Sequence, residues 1–356
     1  MFAKILRLAA VAAIASISLT ACTPPMPPEV KAALLEQTYT CIDGNANVLS
    51  TEIMADAIPS LQGAMSGNCP TMTITGVEAG TPADIAVGSY APGASDCAVT
   101  SSVPYALDGA VVTATLSQAA GLALSPNTVA GIFDGTITNW DDAAITKDNA
   151  GVVTATGPIE VVPVTDKLAL ASFASWYKQL TGKVFNASLL KPKSKLTVGD
   201  IGTLADGSIA LLPYSIFSVY SVSALTIPLP AAIVEDPKAN PTGVLPDLAG
   251  IQSAGTQLEF TKTGTNVSVK LNYSLKPTAP QGSDVAPAPY QAIYPVSMDL
   301  CGKPSKTVRA VARYMLRADA QGILTTLVPL PESLRAESLD VVSVGLPNPK
   351  VTAPAN

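Results

Sequence analysis

Apolar positions recur along this chain at two periods, and the switches between them lay out the elements. Alternating runs at TYTCID (38–43), TMTITG (71–76) and ADIAVGS (83–89) predict short strands. A helical or turn-rich stretch, TEIMADAIPSLQGAM (51–65), separates the first two, so the order β-α-β-β suits a parallel sheet. VKAALLEQ (30–37) reads as a helical lead-in, and GAVVTATL (109–116) as a further strand. In SPNTVAGIFDGTITNWDDAAI (125–145), Ser125 and Pro126 mark a helix start and Val129, Ile132 and Phe133 share its inner face. Asp134-Gly135 stops that helix, and Asn139 with Asp141-Asp142 starts a second one around Trp140 and Ile145. The apolar run PIEVVPVTD (158–166) predicts one strand leading into a helix, KLALASFASWYKQLTG (167–182). Leu170, Phe173, Trp176, Tyr177 and Leu180 form the apolar side of that helix, and Gly182 its stop. GSIALLPYSIF (207–217) and YQAIYPVSMDL (290–300) predict buried strands, and SKTVRAVARYMLRADAQGILTTL (305–327) the longest amphipathic helix. Residues 226–290, rich in Pro, Gly, Thr and Asn, read as strands and loops wrapped on a surface, and no internal repeat is found.

The amino terminus changes the picture. Lys4 and Arg7 precede an uncharged apolar stretch, Leu8 to Leu19, which is short for a membrane span and has the flanks of a secretory leader. It ends in LTAC (19–22), which resembles a bacterial lipobox and implies that Cys22 carries lipid after removal of residues 1–21. The Pro-rich TPPMPPEV that follows predicts an extended stalk over 22–35. The expected location is the extracytoplasmic face of a bacterial cell membrane, held by the lipid. Loss of Lys4 and Arg7 deepens the formal charge of −6 by two, and no basic run occurs, which argues against a nucleic-acid partner.

Of 5 cysteines, Cys22 is set aside, and Cys41, Cys69, Cys97 and Cys301 read as two disulfides of an exported chain. Three pairings are open, with Cys41–Cys97 favoured because both follow neighbouring strands at one sheet edge. With 0 His and no C-x-x-C spacing, neither a metal nor another cofactor is expected. The absence of His also excludes Ser-His-Asp and Cys-His catalysis. SWYK (175–178) and KTG (262–264) have the letters of serine β-lactamases and penicillin-binding proteins. Ser175 lies inside an apolar helix, and the S-D-N or Y-x-N element between them is missing, so no enzyme is predicted.

The order of segments resembles the phosphate-binding protein of the high-affinity phosphate ABC transporter. Leu124, Ile132, Phe133, Gly135, Ile137, Trp140, Asp142 and Ile145 match that family's helix–turn–helix corner in the second lobe. DGSIALLPYSIFSVY, YPVSMDL and ADAQGILTTLVPLPESL resemble its later strands and last helix. The resemblance implies an α/β, two-lobe type II periplasmic-binding-protein-like fold. Each lobe would hold a mixed sheet flanked by helices, with two crossing strands as hinge and a ligand cleft between. Residues 36–112 with 291–345 would form lobe 1, residues 113–290 lobe 2, and 346–356 a flexible tail.

The expected site departs from the family. Where the family has an Arg, Ser, Gly and Thr around an Asp, this chain has Val164, Leu168, Ala169 and Leu170 around Asp166, with Lys167 beside it. Those side chains donate nothing to an anion. Ser50 and Thr51 are the loose counterpart of the family's first-lobe turn, and Ser89 and Tyr90 of its Asp-bearing loop. Ser50, Thr51, Ser89, Tyr90, Asp166 and Lys167 are therefore the candidate ligand contacts. The implied function is a monomeric solute-binding lipoprotein that delivers phosphate or another small solute to an ABC permease. The alternative is a binding-protein fold that has lost phosphate binding and serves as a cell-envelope interaction module.

Overall fold

The computed structural model of the chain describes residues 28–347 apart from 52–53, 55–56, 89–96, 118–121, 150, 152–154, 194, 203, 219–222, 225–243 and 280–284. The leader, Cys22, the stalk up to residue 27, Ser89, Tyr90 and the tail from 348 lie outside the described residues.

Helix α1 (Pro28–Gln37) packs along the last helix among the described residues, α11 (Glu332–Val342). After it, β1 (Gly44–Ser50) runs parallel to β2 (Met72–Val77) on one side and β3 (Ile85–Gly88) on the other. Helix α2 (Ala57–Ser66) makes the crossover between β1 and β2 and buries Ile58, Leu61 and Met65. The strand expected over 38–43 is not formed, and β1 takes its place from residue 44. Cys41 is bonded to Cys69, and the Thr38 carbonyl accepts from Arg317 Nη1 at 3.2 Å, so these residues dock the chain sideways instead of extending the sheet.

Strand β4 (Val99–Thr115) is 17 residues long and starts well before the expected 109. From Val99 to Gly109 it pairs antiparallel with β12 (Ile293–Cys301), and from Ala110 to Thr115 with β8 (Ser208–Pro213). That exchange of partners joins the two lobes. The first-lobe sheet has the order β2-β1-β3-β12-β4, then β11 (Asn266–Leu271) and β10 (Leu258–Thr263) as an edge hairpin. The second half of β4 continues into β8, β5 (Glu160–Val161) and β9 (Ser223–Ala224). The run 158–166 is two strands, not one: β5 pairs with β8, whereas β6 (Val164–Asp166) pairs with β7 (Lys191–Lys193). Pro163 between them has no N–H for a ladder, which explains the break.

The helix–turn–helix corner forms as the punctuation predicts. Helix α3 (Pro126–Asp134) is capped by the Ser125 side chain, which accepts from Thr128 N–H, and ends at Gly135 in the left-handed region (φ 86°). Asp142 caps α4 (Ala143–Asp148), and Trp140 lies buried before it, its indole N–H donating to the Gly207 carbonyl at 2.9 Å. Helix α5 (Lys167–Thr181) packs on α3 through Phe133, Phe173 and Phe185. A single turn, α6 (Val198–Ile201), precedes β8, and another, α7 (Tyr214–Phe217), follows it. Helix α8 (Leu248–Gly255) covers β4 near β13 (Val328–Pro329).

Among the described residues the longest helix is α5, not the segment 305–327. That segment breaks into α9 (Lys306–Met315) and α10 (Ala318–Gln321) because Arg317 is extended (φ −65°, ψ 152°). Its guanidinium reaches back to the carbonyls of Glu36 and Thr38, which holds the backbone out of the helix. The disulfides are Cys41–Cys69 and Cys97–Cys301, which corrects the expected Cys41–Cys97 pair. Cys41 lies before β1, one sheet position from the start of β2, whereas Cys97 leads into β4 beside the end of β12.

Candidate functional site

A pocket of about 480 Å³ opens where the start of α5 faces the first-lobe sheet. Leu168 forms its second-lobe wall, and Val103, Pro104, Val267, Tyr294 and Pro295 supply most of the first-lobe wall. Its polar groups are hydroxyls and an amide, from Thr100, Ser102, Asn266, Ser268 and Ser297. All five are held by neighbours: Asn266 Oδ1 accepts from Ser102 N–H at 2.9 Å, Ser102 Oγ donates to Asp299 Oδ1 at 2.5 Å, and the hydroxyls of Thr100, Ser268 and Ser297 donate to the carbonyls of Leu300, Thr261 and Gly88 at 3.1, 3.3 and 3.3 Å. Ser172 Oγ donates to the Ile293 carbonyl at 2.9 Å and pins α5 to the crossing strand β12.

Asp166, the carboxylate carried over from the family motif, is buried at the head of α5. Its Oδ1 accepts from Leu168 N–H at 2.7 Å and Ala169 N–H at 2.9 Å, so the carboxylate caps its own helix. The backbone donors that would face an anion at this helix start are thereby occupied. Burial pushes the Asp166 carboxyl up to about 6, against the pull of those two N–H groups. Lys167 is exposed and lines a different surface pocket, with Phe185 and Pro192, away from Leu168's side of the helix.

Ser50 and Thr51 sit half-buried at the carboxyl end of β1. Ser50 pairs with Val87 of β3, one residue before Gly88, so this strand end adjoins the rim of the pocket at Ser297. Ser50, Thr51 and Asp166 are not among the lining residues of this pocket, and Lys167 lines another one. Ser89 and Tyr90 follow Gly88 outside the described residues.

A second buried carboxylate escapes the motif reading. Asp108 lies on β4 at the exchange of partners, 1% exposed. Its Oδ1 accepts from Gly109 N–H at 2.8 Å and Ser215 N–H at 3.0 Å, and its Oδ2 from Ser215 Oγ at 2.5 Å. Ser215 belongs to α7, so the carboxylate ties the hinge strand to the second lobe. Burial raises its pKa to about 7, and the neighbouring Asp166 pushes in the same direction. The signal was present in the sequence, because Asp108 is the one charge in the run 99–115.

The β-lactamase-like letters are absorbed elsewhere. Ser175 shares a 3.1 Å hydrogen bond with the Tyr273 hydroxyl, and Lys262 pairs with Glu337 at 3.0 Å and Asp340 at 2.6 Å.

Two of the solved structures similar to this one are phosphate-binding proteins by their descriptions. One is a high-affinity periplasmic phosphate-binding protein, PfluDING, bound with phosphate: TM-score 0.51, 13% identity, 83% of this chain and 92% of that one covered. Another is a human phosphate-binding apolipoprotein, with TM-score 0.51, 12% identity and coverage of 82% and 93%. A third, a DING protein, gives TM-score 0.51 at 13% identity, covering 82% and 93%. At such identities the likeness speaks to the fold. No curated protein is significantly similar to the chain. Residues 63–319, well over half of the chain, match the PBP superfamily domain, and with the two-lobe architecture around β4 and β12 this places the protein in that superfamily.

Proposed function

We propose that the protein is the lipid-anchored solute receptor of an ABC importer, and that its ligand is a small uncharged solute rather than phosphate. The observation that carries this reading is the lining of the pocket between the lobes. Among its described lining residues there is no carboxylate, ammonium or guanidinium, and Leu168 stands where the resemblance calls for an anion donor. Apolar walls with a few hydroxyls and one amide suit a ligand that buries carbon and makes a small number of hydrogen bonds. Phosphate held in the family manner gains several charge-assisted contacts, each about 1.5–3 kcal/mol. Losing three of them removes on the order of 5 kcal/mol, a factor of several thousand in affinity. The phosphate named for the similar structures belongs to those proteins, and the described lining residues of this pocket include no charged side chain to match it.

Isothermal calorimetry of the lipid-free protein against inorganic phosphate and a panel of neutral sugars, polyols and amides tests the reading. The expected result is no phosphate binding at micromolar concentration and one neutral solute that binds, its affinity falling at least tenfold in Leu168→Trp, which fills the pocket. Submicromolar phosphate binding abolished by Asp166→Ala would overturn it. A chain that binds none of the panel would instead favour the interaction-module alternative. Anchoring is tested separately: Cys22→Ser is expected to move the protein from the membrane fraction to the soluble one. Unchanged fractionation would remove the lipid from the proposal.

A further inference from the structure

The hydroxyls of the pocket between the lobes have a polarity set by where their hydrogens already go. A Ser or Thr hydroxyl carries one hydrogen to donate and two lone pairs to accept with. Thr100 gives its hydrogen to the Leu300 carbonyl, Ser268 to that of Thr261 and Ser297 to that of Gly88. Ser102 gives its own to Asp299 Oδ1. A carbonyl can only accept, which fixes three of these directions, and an ionised Asp299 fixes the fourth. Pro104 and Pro295, in the same walls, have no N–H to offer.

These four hydroxyls therefore offer a solute lone pairs, not hydrogens. They are spread over three neighbouring strands. Thr100 and Ser102 are two residues apart on β4, about 7 Å along the strand. Ser268 is on β11, which bridges to β4 at Asn266, and Ser297 is on β12 opposite Pro104. The Asn266 amide, whose Oδ1 is taken by Ser102 N–H, has its NH2 left to donate. We propose that the solute is polyhydroxylated, a cyclic polyol or sugar, and that it binds chiefly by donating its O–H groups to these side chains. The proposal rests on the receptor reading above and names the class of solute.

The arrangement selects against the other neutral classes. An ether, an ester or a tertiary amide brings only lone pairs, and to be bound through them it must pull a hydroxyl hydrogen away from its carbonyl. Each such exchange gives up one hydrogen bond to gain another. A phosphate dianion, itself mostly acceptor, meets the same wall. A simple primary amide carries its N–H groups on one nitrogen and reaches one side of the pocket, whereas a ring of hydroxyls reaches several strands at once. Leu168, Val267 and Tyr294 then cover the C–H faces of that ring.

Calorimetry on the wild-type protein with inositol, glucose, galactose, acetamide and tetramethylurea tests this, followed by the monodeoxyfluoro analogues of the tightest polyol. Fluorine keeps the size of a hydroxyl and removes its hydrogen. The expected result is a polyol as the tightest ligand, with at least two fluorinated positions each losing about tenfold in affinity. Analogues that all bind within about threefold of the parent overturn the proposal. Acetamide or tetramethylurea bound in preference to every polyol overturns it too, and leaves the receptor reading standing. If no neutral solute binds, both fall. Thr100→Val and Ser297→Ala remove one acceptor each and are expected to weaken the parent polyol about tenfold while hardly affecting the analogue that lacks the matching hydrogen. Equal weakening of parent and analogue would mark a purely structural role and count against the contact. If a variant fails to fold, the fluorinated series on the wild type still decides.

Discussion

Asp108 and Asp166 are carboxylates placed where water is scarce, and both titrate higher than an exposed Asp for that reason. The sign of their effect on stability follows from linkage. In the folded state Asp108 keeps its proton up to about pH 7, whereas the unfolded chain releases it near 4. Between those values the native state binds more protons, so this contribution is full below about pH 4 and is lost as pH rises through 7. Asp166 acts in the same direction up to about 6. Asp108→Asn retains an oxygen for the Gly109 and Ser215 N–H groups and offers an amide to Ser215 Oγ, but it cannot ionise. Denaturant unfolding between pH 5 and 8 is expected to show a flatter profile for this variant, by about 2–3 kcal/mol over the range. A profile parallel to wild type would show that Asp108 is not the group responsible. Asp166→Ala removes the acceptor of two N–H groups at the head of α5 and is expected to cost about 1–2 kcal/mol at pH 5.

At the scale of elements, the disulfides fix the first lobe at two different sequence ranges. Cys41–Cys69 spans 28 residues and ties the approach to β1 to the end of the α2 crossover. Cys97–Cys301 spans 204 residues and fastens the start of β4 to the end of β12, the two strands that cross between the lobes. Chain entropy makes the longer closure the stronger constraint on the unfolded state, roughly 5 against 3.5 kcal/mol. Urea unfolding of the paired Ser variants is expected to show the larger loss for Cys97→Ser/Cys301→Ser. The reverse order would indicate that residual structure in the unfolded chain, not loop length, governs the effect. The punctuation of short elements was legible beforehand: Ser125, Asp142, Gly135 and Gly182 do locally what their residue types require. The break at Arg317 was not, because it depends on carbonyls 279 and 281 residues away.

At the scale of the molecule, β4 belongs to two sheets, and the pocket lies where the second-lobe helix α5 meets the first-lobe end of that strand. A solute held between Leu168 and the β4–β12 face contacts both lobes, so its binding is expected to narrow the distribution of lobe orientations. Small-angle scattering with and without the solute found by calorimetry checks this through a reduced radius of gyration on binding. An unchanged radius would place the solute on one lobe alone.

The amino-acid order by itself determined the short-range features: helix caps, glycine stops, the apolar stripe of α5, the number of disulfides, and the loss of anion donors around Asp166. These are set by groups within about one helical turn of each other, where spacing dictates contact. It also carried enough of the segment order to indicate the two-lobe fold. Only the tertiary structure decided which cysteines pair, that β1 starts at Gly44, and that 158–166 divides between two sheets. It also decided that Asp166 turns its carboxylate to its own backbone, that Lys167 faces away from the pocket, and that Asp108 is buried at the exchange of partners. Each of those outcomes rests on atoms brought together from distant parts of the chain, and desolvation, which sets the carboxylate chemistry, exists only once they are packed.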